Sequence, residues 1–400
     1  MLLEQSRLNI ETKRRTSRLP WRGQFSPDFI KYIMETVCQD SRSFFDPFCG
    51  SGTVLFEAIE RKCQSWGVEV NPAAWHLASI AEFSSLSSIE KTKLNKFINS
   101  LLAQVSSKTD EFFYKISTSN DPLAIVTDYA NSNEEIRIFA AAIILSMGNK
   151  SNFDIKTFHK GLFAISAVLN EVIQFDGSAK CILGDARNSG LLPEIAEAII
   201  TSPPYINVFN YHQNYRPAVE LLGWKPLQAA KVEIGSNRKF RQNRFLTVVQ
   251  YCIDMQIAIS EMARVMKSNA PLVIVLGRTS NVLKCSFENG TIVRKLLESS
   301  SSFDNIQCAE RVFTSRYGGR IFEDVILAKR KTFSQPNIST ARSIGCEALK
   351  LALTEVTDAN RIALLSAIEC SDKVLPSPTL KMEIPLQFDF KNRGEKDGSH

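Results

Sequence analysis

No two of the nine cysteines (38, 49, 63, 181, 252, 285, 308, 346 and 370) stand at CxxC spacing, and their number is odd. That argues against a zinc framework or a disulfide scaffold and fits a reducing cytoplasm. No apolar run approaches the roughly 18–20 residues of a membrane span. The opening "MLLEQSRLNIETKRR" carries charges too early and too often for a secretory leader, so the expected location is the cytoplasm, with no membrane partner. Internal repeats and low-complexity tracts are also missing. What remains is an ordinary globular composition, 44% hydrophobic and 22% charged over 400 residues, enough for a sizeable core.

The net charge of +6 is small but unevenly placed. Lys225, Lys231, Arg238, Lys239, Arg241 and Arg244 face a single acid, Glu233, over twenty residues. The first 22 residues hold Arg7, Lys13, Arg14, Arg15, Arg18 and Arg22 against Glu4 and Glu11. Blocks of this kind favour a polyanionic partner, although two solvated faces would read the same way.

The hydrophobic pattern predicts an α/β chain. Ser26 before Pro27 starts a helix with Phe29, Ile30, Ile33 and Met34 on one face. Strand, turn and helix then follow twice, through "SFFDPFCGSGTVLFEAIERK" and "SWGVEVNPAAWHLASIAEF". Short links of this kind predict a doubly wound parallel sheet. Residues 84–175 lack that rhythm and read as a helical insertion. Strands resume at 179–184, 196–201 and 270–277, with a long helix over about 247–266 between the last two. A helix near 290–299 and two further strands close the domain, and the tail from 335 holds one or two helices.

Three stretches carry chemistry. In "DPFCGSGT" (46–53), Gly50 and Gly52 allow a tight bend between strand and helix, where a ligand can approach the backbone. Glu69 ends the next strand and can accept both hydroxyls of a ribose. The bend is neither GxGxxG nor followed by GK[ST], so a nucleoside without a pyrophosphate fits better than a dinucleotide or ATP. Asp185 ends the following strand; alone it reads as a helix cap. In "TSPPY", Pro203 and Pro204 stop a buried strand and stiffen the backbone. The carbonyls of Ser202 and Pro203 become fixed acceptors, Ser202 adds a hydroxyl and Tyr205 a flat face. An exocyclic amine of a nucleobase suits that corner, because acceptors gripping its hydrogens free its lone pair. A proline-rich loop with a buried tyrosine is the bland alternative.

Taken together, "DPFCGSGT", Glu69, Asp185 and "TSPPY" resemble the S-adenosylmethionine-dependent amino-methyltransferases of DNA. The serine of "SPPY" is similar to the cytosine-N4 branch, whereas Asp or Asn there is usual for adenine-N6. The resemblance covers most of 20–331. It implies a Rossmann-like, mostly parallel seven-stranded sheet of the class I methyltransferase type. The catalytic domain would span 20–83 and 176–331, with the insertion at 84–175 and a C-terminal helical extension at 332–400. It implies S-adenosylmethionine as cofactor, held by Asp46, Phe48, Gly50, Gly52, Thr53, Glu69 and Asp185, with Phe25 of "WRGQFSPDFI" against its methionine part. Within that set Gly50 and Gly52 carry the methionine end, Glu69 the ribose and Asp185 the adenine amine. Ser202, Pro203, Pro204 and Tyr205 would hold the target base. No Pro-Cys nucleophile of the cytosine-C5 kind stands beside a predicted strand, and no metal is needed.

Aromatic and basic residues interleave downstream of Tyr205, which suits phosphates and bases. Residues 206–246 are therefore the expected contact with double-stranded DNA, through Tyr211, Arg238, Lys239, Arg241 and Arg244. Tyr211 and Tyr215, four apart, could instead simply pack a helix. The expected function is site-specific cytosine-N4 methylation in restriction–modification or defence, with room for a cognate restriction endonuclease. Adenine-N6 methylation, RNA base methylation and non-catalytic nucleic-acid binding stay open as alternatives.

Overall fold

The computed structural model describes residues 3–11, 14–21, 23–107, 134–146, 155–206, 215–236, 240, 242–314, 318–356 and 358–379. Phe44 and Phe45 set the pattern of its sheet. Both are fully buried, yet they point to opposite faces, Phe44 toward one core cluster and Phe45 toward another. The same alternation separates Ala198 and Ile200 from Ile199, and Val273 and Val275 from Leu272 and Ile274. Strands covered on both faces read as continuous apolar runs, which is why these segments were recognisable.

The strands β1 (Ser43–Asp46), β2 (Gln64–Glu69), β3 (Ser178–Leu183), β4 (Ala198–Thr201) and β5 (Pro271–Gly277) are parallel. Two more complete the sheet, β8 (Phe303–Thr314) and β9 (Arg320–Arg330), with β9 antiparallel to β5 and to β8. The order is β3-β2-β1-β4-β5-β9-β8, a mostly parallel, Rossmann-like seven-stranded sheet as the sequence predicts. A separate hairpin, β6 (Thr279–Val282) with β7 (Cys285–Glu288), was not foreseen. Its turn residues Leu283 and Lys284 both have positive φ, 50° and 71°, without the Asn-Gly or Asp-Gly that normally announces such a turn.

Helix α1 (Gln5–Asn9) packs on β8, and α2 (Pro27–Thr36) seals the face shared by Phe44 and Val273. Ser26 occupies the N-cap of α2 in extended backbone, but its side chain makes no capping bond. Helices α3 (Thr53–Glu60) and α4 (Pro72–Ala78) follow β1 and β2. Between α4 and β3 lie a 3-10 turn (Ser79–Ser85) and α5 (Ser88–Ser107), α6 (Glu134–Ser146) and α7 (Ile155–Val172). These share one cluster with α3 and α4, including Ile59, Leu77, Ile144 and Leu169.

After β4 come two short helices, α8 (Arg216–Leu221) and α9 (Pro226–Val232), then the long α10 (Leu246–Val265), one residue from the sequence expectation. Helix α11 (Asn289–Ser299) precedes β8. The C-terminal helices α12 (Ile338–Leu353) and α13 (Asp358–Glu369) are less of an appendage than the sequence suggests: α12 packs on α10 and α13 on α12. Leu349 and Leu364 are fully buried in the same cluster as Ile199 and Leu272 of the sheet.

Removing that burial should be costly. Leu364→Ala is expected to lower unfolding free energy by about 2–5 kcal/mol in urea titrations, the usual cost of a cavity in a core. A loss below about 0.5 kcal/mol, as at an exposed site, would show that the tail is not part of the core.

Candidate active site

Four parallel strands deliver the predicted residues to one edge of the sheet. β1 ends at Asp46, β2 at Glu69, β3 just before Gly184 and Asp185, and β4 just before Ser202. β1 lies between β2 and β4, so the glycine bend and the Ser-Pro-Pro-Tyr corner leave neighbouring strands in the same direction.

Asp46 is 2% exposed and joins the two. Its Oδ1 accepts the Phe48 N–H at 3.1 Å, which shapes the bend, and the Thr201 hydroxyl at 2.6 Å, which ties β1 to the last residue of β4. Burial lifts its carboxyl to about 7 against both bonds. Gly50 and Gly52 have φ of 52° and 87°, and a Cβ on Gly52 would lie 3.0 Å from that of Ala78. Only glycine meets both demands at the start of α3. Phe48 packs against the α10 cluster, and Thr53 is the buried first residue of α3.

Glu69 reaches back over the bend. Its Oε2 accepts the Gly50 N–H at 2.8 Å and its Oε1 the Asn71 N–H at 2.7 Å. Burial raises it to about 7 although both N–H groups favour the charged form. Asn71 caps α4 by accepting the Ala73 N–H at 2.9 Å, while its buried Nδ2 has no hydrogen-bond partner. Asp185 corrects one expectation: no described helix follows it, and it caps a turn by accepting the Arg187 N–H at 3.0 Å. Both its oxygens also take the Arg187 guanidinium, at 2.9 and 2.6 Å.

At the corner, Pro203 is buried and Ser202, Pro204 and Tyr205 are half-buried. The Tyr205 ring lies directly on Gly277 at the end of β5, where a Cβ would come within 2.7 Å of the ring. Asn289, fully buried, clasps the corner to β5. Its Oδ1 accepts the Ile206 N–H at 3.3 Å, and its Nδ2 donates to the Gly277 carbonyl at 2.8 Å and the Ser280 hydroxyl at 2.9 Å.

The segment before α2 crosses the glycine bend. The Ser51 hydroxyl donates to Gln24 Oε1 at 3.1 Å, and Trp21 lies over Gly50, whose Cβ would be 3.5 Å from the indole nitrogen. Phe25 itself stacks on Phe29, centroids 5.7 Å apart. Trp21 stacks on Tyr215 at 5.5 Å. Tyr215 precedes α8 with φ of 59°, so it is not inside a helix, and it reaches the bend through Trp21.

Tyr211, Arg238, Lys239 and Arg241 lie outside the described residues, and Arg244 is half-buried just before α10. The N-terminal basic block is partly spent inside the molecule. Arg15 and Arg18 both pair with Glu57 and Glu60, Arg18 also with Glu171, and Arg7 with Glu35. Arg18 is only 9% exposed and serves the fold rather than a polyanion. Thr201, Asn289, Gln24, Trp21 and Arg187 were not singled out from sequence: Thr201, Trp21 and Gln24 stand inside quoted motifs, but their roles come from partners elsewhere in the chain. Among the described residues no cluster of three or more His, Cys, Asp or Glu could hold a metal, and no helix is long and apolar enough to cross a membrane.

The two raised carboxyls fix a pH dependence. Asp46 and Glu69 keep their protons to about 7 when folded, against about 4 when unfolded. The folded state binds more protons between those values, so their contribution to stability is lost as pH rises from about 4 to about 7. Glu69→Gln should show a smaller drop in urea midpoint between pH 5 and pH 8 than the parent chain. An equal or larger drop would contradict the burial of this group.

Searches against family models return no match. Two curated relatives are type II methyltransferases: M.MvaI of Kocuria varians, 28% identical over 164 residues, and M.MjaII of Methanocaldococcus jannaschii, 28% identical over 107. The matches cover 39% and 26% of this chain, and the chain spans only 35% and 19% of those relatives' lengths. Among solved structures, an S-adenosylmethionine-dependent methyltransferase of Methanosarcina mazei aligns at TM-score 0.35 and 12% identity, over 75% of this chain and 98% of that one. The ribosomal RNA methyltransferase aviRa of Streptomyces viridochromogenes aligns at 0.32 and 11%, over 87% and 96%.

Proposed function

We propose that this chain is an S-adenosylmethionine-dependent methyltransferase that methylates the exocyclic N4 amine of a cytosine turned out of duplex DNA. The observation that supports this most is the adjacency of the glycine bend and the Ser-Pro-Pro-Tyr corner at the ends of β1 and β4, fastened by Thr201 and Asp46. The local similarity to two type II methyltransferases points the same way and favours DNA.

The residues at this edge suit the cofactor. The bend and the unpaired N–H groups opening α3 suit the carboxylate of its methionine part. Glu69 stands ready for the ribose, and the buried Asn71 Nδ2 beside it is a donor without a protein partner. Asp185 is an acceptor for the adenine amine. A sulfonium cation near Asp46 and Glu69 would draw both back to their charged forms. Bound S-adenosylmethionine supplies an electrophilic methyl group.

The rest falls to the chain. The carbonyls of Ser202 and Pro203 accept the hydrogens of the target amine and turn its lone pair toward the methyl. Tyr205, seated on Gly277, stacks on the base, worth roughly 1–3 kcal/mol. That offsets part of the few kcal/mol needed to extrude it. With the cofactor bound, the amine nitrogen would take the methyl as its carbon–sulfur bond breaks and the thioether leaves; the chain's part is positioning, which supplies most of the rate, and the Ser202 hydroxyl would relay the released proton to solvent. Residues 206–246 hold the duplex, and the setting is restriction–modification or defence, with a cognate endonuclease as partner.

Mass analysis of nucleosides from DNA incubated with the chain and labelled cofactor tests this, with N4-methylcytosine as the expected product. N6-methyladenine would move the chain to the adenine branch, and label in RNA alone, or none, would overturn the reading. Tyr205→Ala should slow single-turnover transfer roughly 10- to 100-fold, the loss of that stacking energy, with S-adenosylhomocysteine affinity unchanged.

A further inference from the structure

Two residues beyond Asp185, the Arg187 side chain is 5% exposed and fully engaged. Nε and Nη2 grip the two Asp185 oxygens. Nη1 donates to Asp254 Oδ1 at 2.8 Å and to the Ser377 carbonyl at 2.7 Å. Nη2 donates also to the Pro378 carbonyl at 2.7 Å. All five guanidinium hydrogens are thereby used. Asp254, fully buried in α10, accepts in turn from the Ser377 N–H at 2.8 Å and from the Ser377 hydroxyl. One cation thus joins two carboxylates and the C-terminal segment in a closed, buried knot.

We propose that Arg187 is a positioning residue for Asp185, and that docking of residues 374–378 onto Arg187 and Asp254 sets the affinity of the site for its nucleoside cofactor. The inference rests on the reading that Asp185 accepts the adenine amine. A carboxylate gripped through both oxygens cannot rotate; Oδ1 already accepts the Arg187 N–H and Nε–H, while Oδ2 takes only Nη2 and keeps a lone pair for one more donor. The fork therefore presents Asp185 as a preformed acceptor. If the C-terminal segment lifts, Arg187 loses two carbonyls and its buried N–H groups are left unpaired, a costly state that it relieves only by moving. Asp185 moves with it. One edge of the candidate site is thus built from residues nearly two hundred positions apart in the chain, and the coupling must be reciprocal: cofactor binding steadies residues 374–378.

The test uses the full chain and S-adenosylhomocysteine as probe. Calorimetry on the parent, Arg187→Lys and Ser377→Ala is paired with hydrogen exchange over 371–379. Arg187→Lys keeps the charge but loses the fork, and should bind the probe about 10-fold more weakly, with DNA affinity unchanged. Ser377→Ala should weaken it by a smaller factor, about 3-fold, through one lost hydrogen bond. In the parent chain the probe should slow exchange over 371–379. That last readout needs no variant, so it decides the matter even if Arg187→Lys fails to fold. Parent-like affinity in both variants, or exchange over 371–379 indifferent to the probe, overturns the coupling alone. Failure of the parent chain to bind the probe overturns the cofactor reading and the coupling with it.

Discussion

The hydrogen bond from Thr201 to Asp46 is the constraint on which the site depends. Each residue is the last of its strand, and the two strands are neighbours in a parallel sheet. A buried carboxylate is expensive unless its lone pairs are taken, and a short hydroxyl–carboxylate bond is among the stronger ways to take one. Asp46 spends one oxygen on both the glycine bend and β4. The bend cannot shift along the sheet without dragging the proline corner with it. In the proposed reaction this holds methyl donor and acceptor amine in register.

Around that bond the edge is built by pinning each turn to a neighbour. Glu69 pins the bend to the start of α4, Gln24 pins the N-terminal arm to Ser51, Asn289 pins the corner to β5, and Arg187 pins the end of β3 to the C-terminal segment. The cost appears as acids whose protonation is displaced by burial, Asp46 and Glu69 both near 7. A site lined by such groups is poised for a ligand that brings positive charge. Arg15 and Arg18, part of the basic block that the charge pattern offered to a polyanion, instead neutralise Glu57, Glu60 and Glu171 and hold the arm in place.

The legible part of the sequence was the part written locally. Continuous apolar runs marked β1, β4 and β5, period 3.6 marked α10 almost to the residue, and Gly50, Gly52, Pro203 and Pro204 marked the turns because their backbone demands are unusual. Thr201 was invisible as a partner because a strand threonine looks like any β-branched residue. Asn289 and Arg187 act across 83 and 190 positions of chain, distances at which no spacing rule operates. The β6–β7 hairpin was hidden for a different reason: Leu283 and Lys284 take a left-handed turn that their side chains do not advertise. The C-terminal helices looked like an extension because they follow the last strand of the sheet, and only the packing of α12 on α10 and of α13 on α12 shows them to be core.

The most direct measurement is single-turnover methyl transfer by Thr201→Val, compared with Thr201→Ser. Valine keeps the shape and removes the hydroxyl; serine restores it. If the strands must be fastened for the donor to meet the amine, valine slows transfer at least about 10-fold, a loss of one well-made hydrogen bond, serine recovers most of it, and both bind S-adenosylhomocysteine like the parent. Transfer by Thr201→Val at the parent rate, with cofactor affinity intact, would contradict the account.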